Sequence, residues 1–154
     1  MCSSDLIVAI AQGDEPMTPY VMHDDRDVLP LAIANPIYID ADGDGKYTPP
    51  RKWAQNIIAT DDLDTIVNTY NSVNPTEQSL LVLASASDPS LGNKMVRLGL
   101  SNEHRIVRLA ATKTAAQLQD KTLLPILVSV IDNPTSDRYL AFSAWMAIDE
   151  IDIK

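Results

Sequence analysis

From Arg51 onward the chain repeats one local device: a capping residue, a helix-starting residue, then an apolar stretch. Asn74-Pro75-Thr76-Glu77 places an N-cap, a proline at the first helical position and an acid at the third. Asp88-Pro89 and Asn133-Pro134 repeat the cap-then-proline pair. Thr60 before Asp61-Asp62 suits a cap with acids in the first turn, and Ser101 and Asp120 supply further caps. These signals divide the region into helices near 61–71, 75–87, 89–99, 102–119, 121–132 and 135–150. The connections between them are short, so consecutive helices are expected to be antiparallel neighbours.

The helices also resemble one another at an offset of 31 residues. Leu100-Ser101-Asn102 matches Ile131-Asp132-Asn133, Leu109-Ala110 matches Leu140-Ala141, and Ala116 matches Ala147. Alanines at 110, 111, 115, 116, 141, 144 and 147 let helices approach closely, with Leu, Ile and Val filling between them. The spacing, and the run from Asn133 to Ala141, resembles HEAT repeats. The expected fold is mainly α: a HEAT-like α-hairpin solenoid preceded by a short irregular or β segment. A plain helical bundle is the competing arrangement. Trp53, Tyr70, Tyr139, Phe142 and Trp145 follow the apolar faces and are expected to fill the core. Asp149, Glu150 and Asp152 sit where the helix dipole disfavours acids, so a solvated helix end is expected there.

The first fifty residues differ in kind. They hold nine acids and two bases, net −7, whereas residues 51–154 hold twelve acids and ten bases, net −2. Six of the ten prolines fall in the first fifty. Two regions, 1–50 and 51–154, are therefore expected to meet at Pro49-Pro50, which should stop any helix leaving the first. Leu6–Ala11, Val28–Ala34 and Ile37–Ile39 are short β-favouring runs, with Pro30 and Pro36 confining them to edges. So few strands cannot close a sheet with two covered faces. The expectation is a remnant of a larger domain, with further strands upstream.

Asp40-Ala41-Asp42-Gly43-Asp44-Gly45-Lys46 matches positions 1, 3, 5 and 6 of a calcium loop. Asp40, Asp42 and Asp44 would be carboxylate ligands, Lys46 would offer its carbonyl and Thr48 a hydroxyl or water. Position 12 is Arg51, so the bidentate glutamate of an EF-hand is absent. Two readings stand: a partial calcium site, or a tight acidic turn in which Asp and Gly serve backbone geometry. Calcium is the one cofactor expected, and it would favour a compartment outside the cytoplasm.

The segment PLAIANPIYIDADGDGKYTPP, Pro30–Pro50, resembles the closing stretch of bacterial PHP-superfamily (polymerase and histidinol phosphatase) proteins, nearest their CehA/McbA-type metallohydrolases. Ala34-Asn35-Pro36-Ile37 and Asp40–Gly45 carry the likeness, and LIVAIAQGDEPMTPY is similar to that family's late strand and turn. The resemblance covers about a third of the chain and implies a parent fold that is a metal-dependent hydrolase barrel. It transfers no catalytic residue, because the chain has no His-x-His pair.

Composition excludes several function classes. A net charge of −9 opposes nucleic-acid binding through the overall field. No apolar run reaches the length of a membrane helix, and the amino terminus lacks the pattern of a signal peptide. The single cysteine, Cys2, precludes an internal disulfide, and His23 and His104 lie far apart. No nucleophile is accompanied by a base in sequence, so catalysis and a small-molecule substrate are not expected of this chain alone. Lys94, Arg97, Arg105, Arg108 and Lys113 fall within twenty residues. They form either a basic strip for an anion or protein partner, or an ordinary solvated face. The functional expectation is a non-catalytic interaction or regulatory module attached to the tail of a metallohydrolase-like domain. The alternative is a fragment of a PHP-type phosphoesterase whose catalytic residues lie upstream or on another chain.

Overall fold

A computed structural model describes residues 4–17, 28–40, 45, 47–60, 62–133 and 137–152. Contacts between backbone positions divide the chain into two compact units, Cys2–Thr48 and Pro49–Lys154.

The smaller unit is an antiparallel ribbon. Strand β1 (Ser4–Ile7) pairs with β4 (Ile37–Asp40), and β2 (Ile10–Gln12) with β3 (Leu31–Ile33). Ile7 lies opposite Ile37, and Ile10 opposite Ile33. Between these pairs one strand contributes Val8-Ala9 and the other Ala34-Asn35-Pro36, so the second carries one extra residue, as at a β-bulge. Pro36 has no N–H to donate, and a bulge is where a ladder tolerates that loss. The pairing continues outward through Gly13 N–H to the Pro30 carbonyl at 2.9 Å and Met17 N–H to Val28 at 2.8 Å. Ile7 and Ile10 are three residues apart and so stand on opposite faces. Both are more than half exposed, as are Leu31, Ile33 and Ile37. No ribbon residue of described accessibility is buried. An isolated two-stranded ribbon of this kind is marginal in water.

The larger unit is helical throughout its described length: α1 (Pro50–Thr60), α2 (Leu63–Ser72), α3 (Pro75–Ala84), α4 (Pro89–Leu100), α5 (Arg105–Leu118), α6 (Leu124–Asp132) and α7 (Arg138–Asp152). The chain is mainly α-helical, and no described helix is long and apolar enough to cross a membrane. Several expected caps are in place. Asn74 Oδ1 accepts from the N–H of Thr76 and Glu77 at 3.0 Å, while Glu77 reaches back to the Asn74 N–H, closing a capping box. Asp88 caps α4 ahead of Pro89. Each such cap contributes on the order of 1 kcal/mol.

Other boundaries require correction. Pro49-Pro50 does not stop a helix; Pro50 begins α1, since proline is tolerated where no intrahelical N–H bond is made. The cap of α2 is Asp62, not Thr60. Ser101 closes α4 instead of opening α5. The carboxylate that caps α7 belongs to Asp137, whose Oδ1 accepts from Tyr139 and Leu140 at 2.9 and 3.0 Å, while Asn133 ends α6. The offset of 31 also fails as a structural register. Burial aligns Val107, Ala111 and Thr114 of α5 with Leu140, Ala144 and Ala147 of α7, two residues later.

Helices α1, α3, α5 and α7 pack successively, α1 on α3, α3 on α5 and α5 on α7. Helix α4 lies against α5, and α6 against α7. The core between them includes Leu81, Val82, Met95, Val96, Val107, Ala111, Ala115, Leu127, Leu140 and Ala144. Trp53 and Tyr70 are buried as expected, but Tyr139, Phe142 and Trp145 are exposed by 71, 61 and 53 %, a reversal of the core role expected of them. Their helix packs through Leu140, Ala144, Ala147 and Ile151, which turns the aromatic side outward.

Close approach of α4 to α5 depends on glycine. A Cβ on Gly99 would lie 2.8 Å from the Cβ of Ala111, well inside the ~3.5–4.0 Å of a relaxed carbon contact. Ala111 is fully buried and its Cβ moves only with the backbone. Gly99→Ala should therefore gain up to about 1 kcal/mol of helix propensity and lose about 1–3 kcal/mol to overpacking. The expected outcome is a lower urea midpoint with an unchanged slope.

Candidate functional site

Of the five basic residues of the expected strip, Lys94 and Arg97 share one depression, while Arg108 and Lys113 line others. Lys94 and Arg97 of α4 border an open apolar depression of about 620 Å3 with Leu63, Val67 and Leu98, where Asp64 offsets one of the two positive charges. Arg97 is also structurally engaged: its Nε donates to Asn93 Oδ1 at 2.8 Å and its Nη2 to the Thr122 carbonyl at 3.1 Å. Arg105 pairs with Asp137 at 3.2 Å and stacks over Tyr139, 5.1 Å from the ring centre. Arg108 lines a separate small cleft with Ser101, Ser129 and Asn133. Lys113 alone stands on a different groove. Helical rotation causes this dispersal, because five residues spread along α4 and α5 point in several directions around two axes.

That groove encloses about 560 Å3 and crosses α3, between α1 and α5. Its floor is apolar, made by Leu80, Leu83 and Ala84. Arg51 and Gln55 of α1 form one wall, and Lys113 and Gln117 of α5 the other. Each wall thus presents one cation and one amide a single helical turn apart. No carboxylate lines the groove among the described residues. Arg51, Gln55, Lys113 and Gln117 are all exposed, so their polar ends are accessible to a ligand. The two walls are anchored from behind: Ala54 and Ala116, each next to a wall glutamine, are buried. A segment of extended peptide could rest apolar side chains on the floor, receive amide hydrogen bonds from either side, and place carboxylates near the two cations.

Sequence reasoning gives Gln55 and Gln117 no role, and Arg51 only that of breaking the calcium-loop pattern at position 12. A signal for them exists, since Arg51-Lys-Trp-Ala-Gln55 and Lys113-Thr-Ala-Ala-Gln117 share a basic-x-x-Ala-Gln pattern. Nothing local in either stretch shows that both face the same helix.

Of the acidic loop, Asp42, Asp44 and Lys46 lie outside the described residues. Asp40 ends β4, Thr48 is half-buried, and Gly45 has a φ of +74°. Among the described residues no three His, Cys, Asp or Glu side chains gather where they could hold a metal.

Two polar clusters inside the helical unit join elements. Asn102 Nδ2 donates to the Tyr70 hydroxyl at 2.8 Å and to Gln78 Oε1 at 3.1 Å, while Gln78 Nε2 donates to the Tyr70 carbonyl at 2.9 Å. Burial pushes the Tyr70 phenol up, and the Asn102 bond partly opposes it. Asp120 accepts from the Thr122 N–H at 2.9 Å and from Asn93 across to α4. His104 contacts Glu103 at 3.3 Å and makes no side-chain cap. No protein-family model matches the chain, and no curated protein or solved structure is significantly similar to it.

Backbone hydrogen bonds depress two carboxyls below the ordinary aspartate value, Asp62 through Thr65 and Asp120 through Thr122. A depressed carboxyl contributes stability that is complete above its unfolded pKa and lost as pH falls through its folded pKa. The stability these two groups contribute should therefore be complete above the ordinary aspartate range and decline as the pH falls below it. Thermal melts from above that range to below it should show a shallower decline in the Asp62→Asn/Asp120→Asn double variant than in the parent.

Proposed function

We propose that the helical unit is a non-catalytic protein-interaction module of HEAT-like construction, and that its groove over α3 takes an acidic, partly apolar peptide segment of a partner. One observation carries this reading: two cation–amide walls flank an apolar floor with no carboxylate among the described lining residues. The successive packing of α1, α3, α5 and α7 supports the HEAT-like construction, because helical repeats present a partner surface along such a row. The depression beside Lys94 is open, contains the carboxylate of Asp64, and has its Arg97 already bonded to Asn93 and Thr122, so it offers less basis for choosing a partner.

Fluorescence anisotropy with a labelled peptide carrying two aspartates around paired leucines should report binding that weakens with salt. Arg51→Glu/Lys113→Glu should reduce that affinity at least about tenfold with far-UV circular dichroism unchanged, since both side chains are exposed. Equal affinity in the double variant would refute the groove.

The ribbon favours a second statement about residues 1–50. Apolar residues on both faces are the pattern of strands covered on two sides, which supports its reading as part of a larger PHP-like domain. In that context the whole would be a metal-dependent phosphoesterase fragment, testable as manganese- or zinc-dependent phosphodiester hydrolysis. The calcium reading of the acidic loop draws support from Gly45, whose positive φ suits the sharp turn at position 6 of such a loop. Millimolar calcium should then raise the melting temperature, and Asp42→Asn/Asp44→Asn should abolish the rise.

A further inference from the structure

Among the described residues nothing of the helical unit packs on the outer face of α7, yet its composition is that of an interior. Tyr139, Phe142, Trp145 and Met146 are exposed by 71, 61, 53 and 39 %. Phe142 and Trp145 stack on one another with ring centres 6.1 Å apart. With large side chains of about 200 Å2 each, these four leave roughly 500 Å2 of mostly apolar surface in water. A lone exposed aromatic needs no explanation, but a contiguous patch of that size marks an interaction site.

The order of residues along the face identifies the occupant. Arg138, Phe142, Trp145 and Asp149 are all exposed and follow one another at spacings of four, three and four, which keeps them on a single stripe. The pattern is symmetric about its middle: cation, aromatic, aromatic, anion. If two copies of α7 pack antiparallel about a twofold axis near residues 143–144, Phe142 of each faces Trp145 of the other. The same axis sets Arg138 of each against Asp149 of the other. No shift of register is needed to satisfy both.

The charges also run against the helix's own interest. Arg138 stands at the positive end of the α7 dipole and Asp149 in its last turns, so each is placed where the dipole disfavours it. Local stability would prefer the reverse arrangement. A self-complementary contact supplies a reason for this one. Two patches of this size bury about 1,000 Å2 in total, the lower limit for a specific interface, so a reversible dimer is expected instead of an obligate one.

We propose that the outer face of α7 is a self-association surface on which two copies of this chain pair antiparallel, Phe142 against Trp145 and Arg138 against Asp149. This does not rest on the groove over α3, which uses none of these residues.

Sedimentation velocity of the full chain should show a monomer–dimer equilibrium, with the dimer at twice 16.9 kDa dominant by about 0.5 mM. Phe142→Ser should weaken association at least about tenfold, with unchanged circular dichroism. Arg138→Asp and Asp149→Arg should each be monomeric, because each sets like charges opposite one another twice. Both substitutions suit the helix dipole, so neither should harm the fold. An equimolar mixture of these two variants should dimerise again, since every contact in the mixed pair is then between opposite charges. A monomeric wild type at the highest concentration would overturn the proposal and leave the face to a different protein. A dimer that survives Phe142→Ser would place association elsewhere, the exposed ribbon included, and equally overturn it. Failure of the mixed pair to form would overturn the antiparallel register.

Discussion

The contact of α5 with its neighbours governs the helical unit. Val107, Ala110, Ala111, Thr112, Thr114, Ala115 and Ala116 are all buried, so α5 is enclosed on most of its circumference. It can be enclosed because those side chains are small. Gly99 brings the α4 backbone against Ala111, and the Thr114 hydroxyl donates to the Val82 carbonyl of α3 at 3.0 Å. Thr112 and Ser143 share a hydrogen bond between α5 and α7. Small residues give close packing and dispersion contacts, and hydroxyls satisfied by partners cost nothing further. Larger side chains here would push α3, α4 and α7 outward together.

That arrangement also creates the surfaces that can meet other molecules. Helix α3 presents Leu80 and Leu83 between α1 and α5, whose wall residues project as long polar arms. The groove is therefore a by-product of helices packing side by side, given selectivity by which residues stand at its rims. Helix α7 has one covered face, and its opposite face carries the chain's only phenylalanine and one of its two tryptophans. The two surfaces use different chemistry. One offers cations and amides around a shallow apolar floor, and the other offers aromatic area framed by opposite charges.

The ribbon poses a different physical problem. Its strands pair in register and its bulge sits where Pro36 requires it, so backbone hydrogen bonding is locally consistent. What it lacks is burial. Five isoleucine and leucine side chains more than half exposed forgo on the order of 1 kcal/mol each of hydrophobic stabilisation. Exposed strand edges with apolar faces invite further pairing.

Helical content and the caps at Asn74, Asp88 and Asp120 were legible in the residues themselves. These features depend on interactions within one turn: Asn74 with Glu77, Asp88 with Leu91, proline at the first helical position. Short-range geometry is written directly in neighbouring letters. The fate of a side chain on a helix face is not. Trp53 is buried and Trp145 exposed, although both lie on amphipathic helices, because burial requires a second element and only the assembled fold decides which face receives one. The same reason scattered the five basic residues and joined Arg51 to Lys113 across sixty positions of sequence. Sequence determined that the region after Pro50 is helical and where α3 and α4 begin; packing of α1, α3 and α5 determined which of their side chains share a groove, since that depends on rotations and contacts no local pattern records.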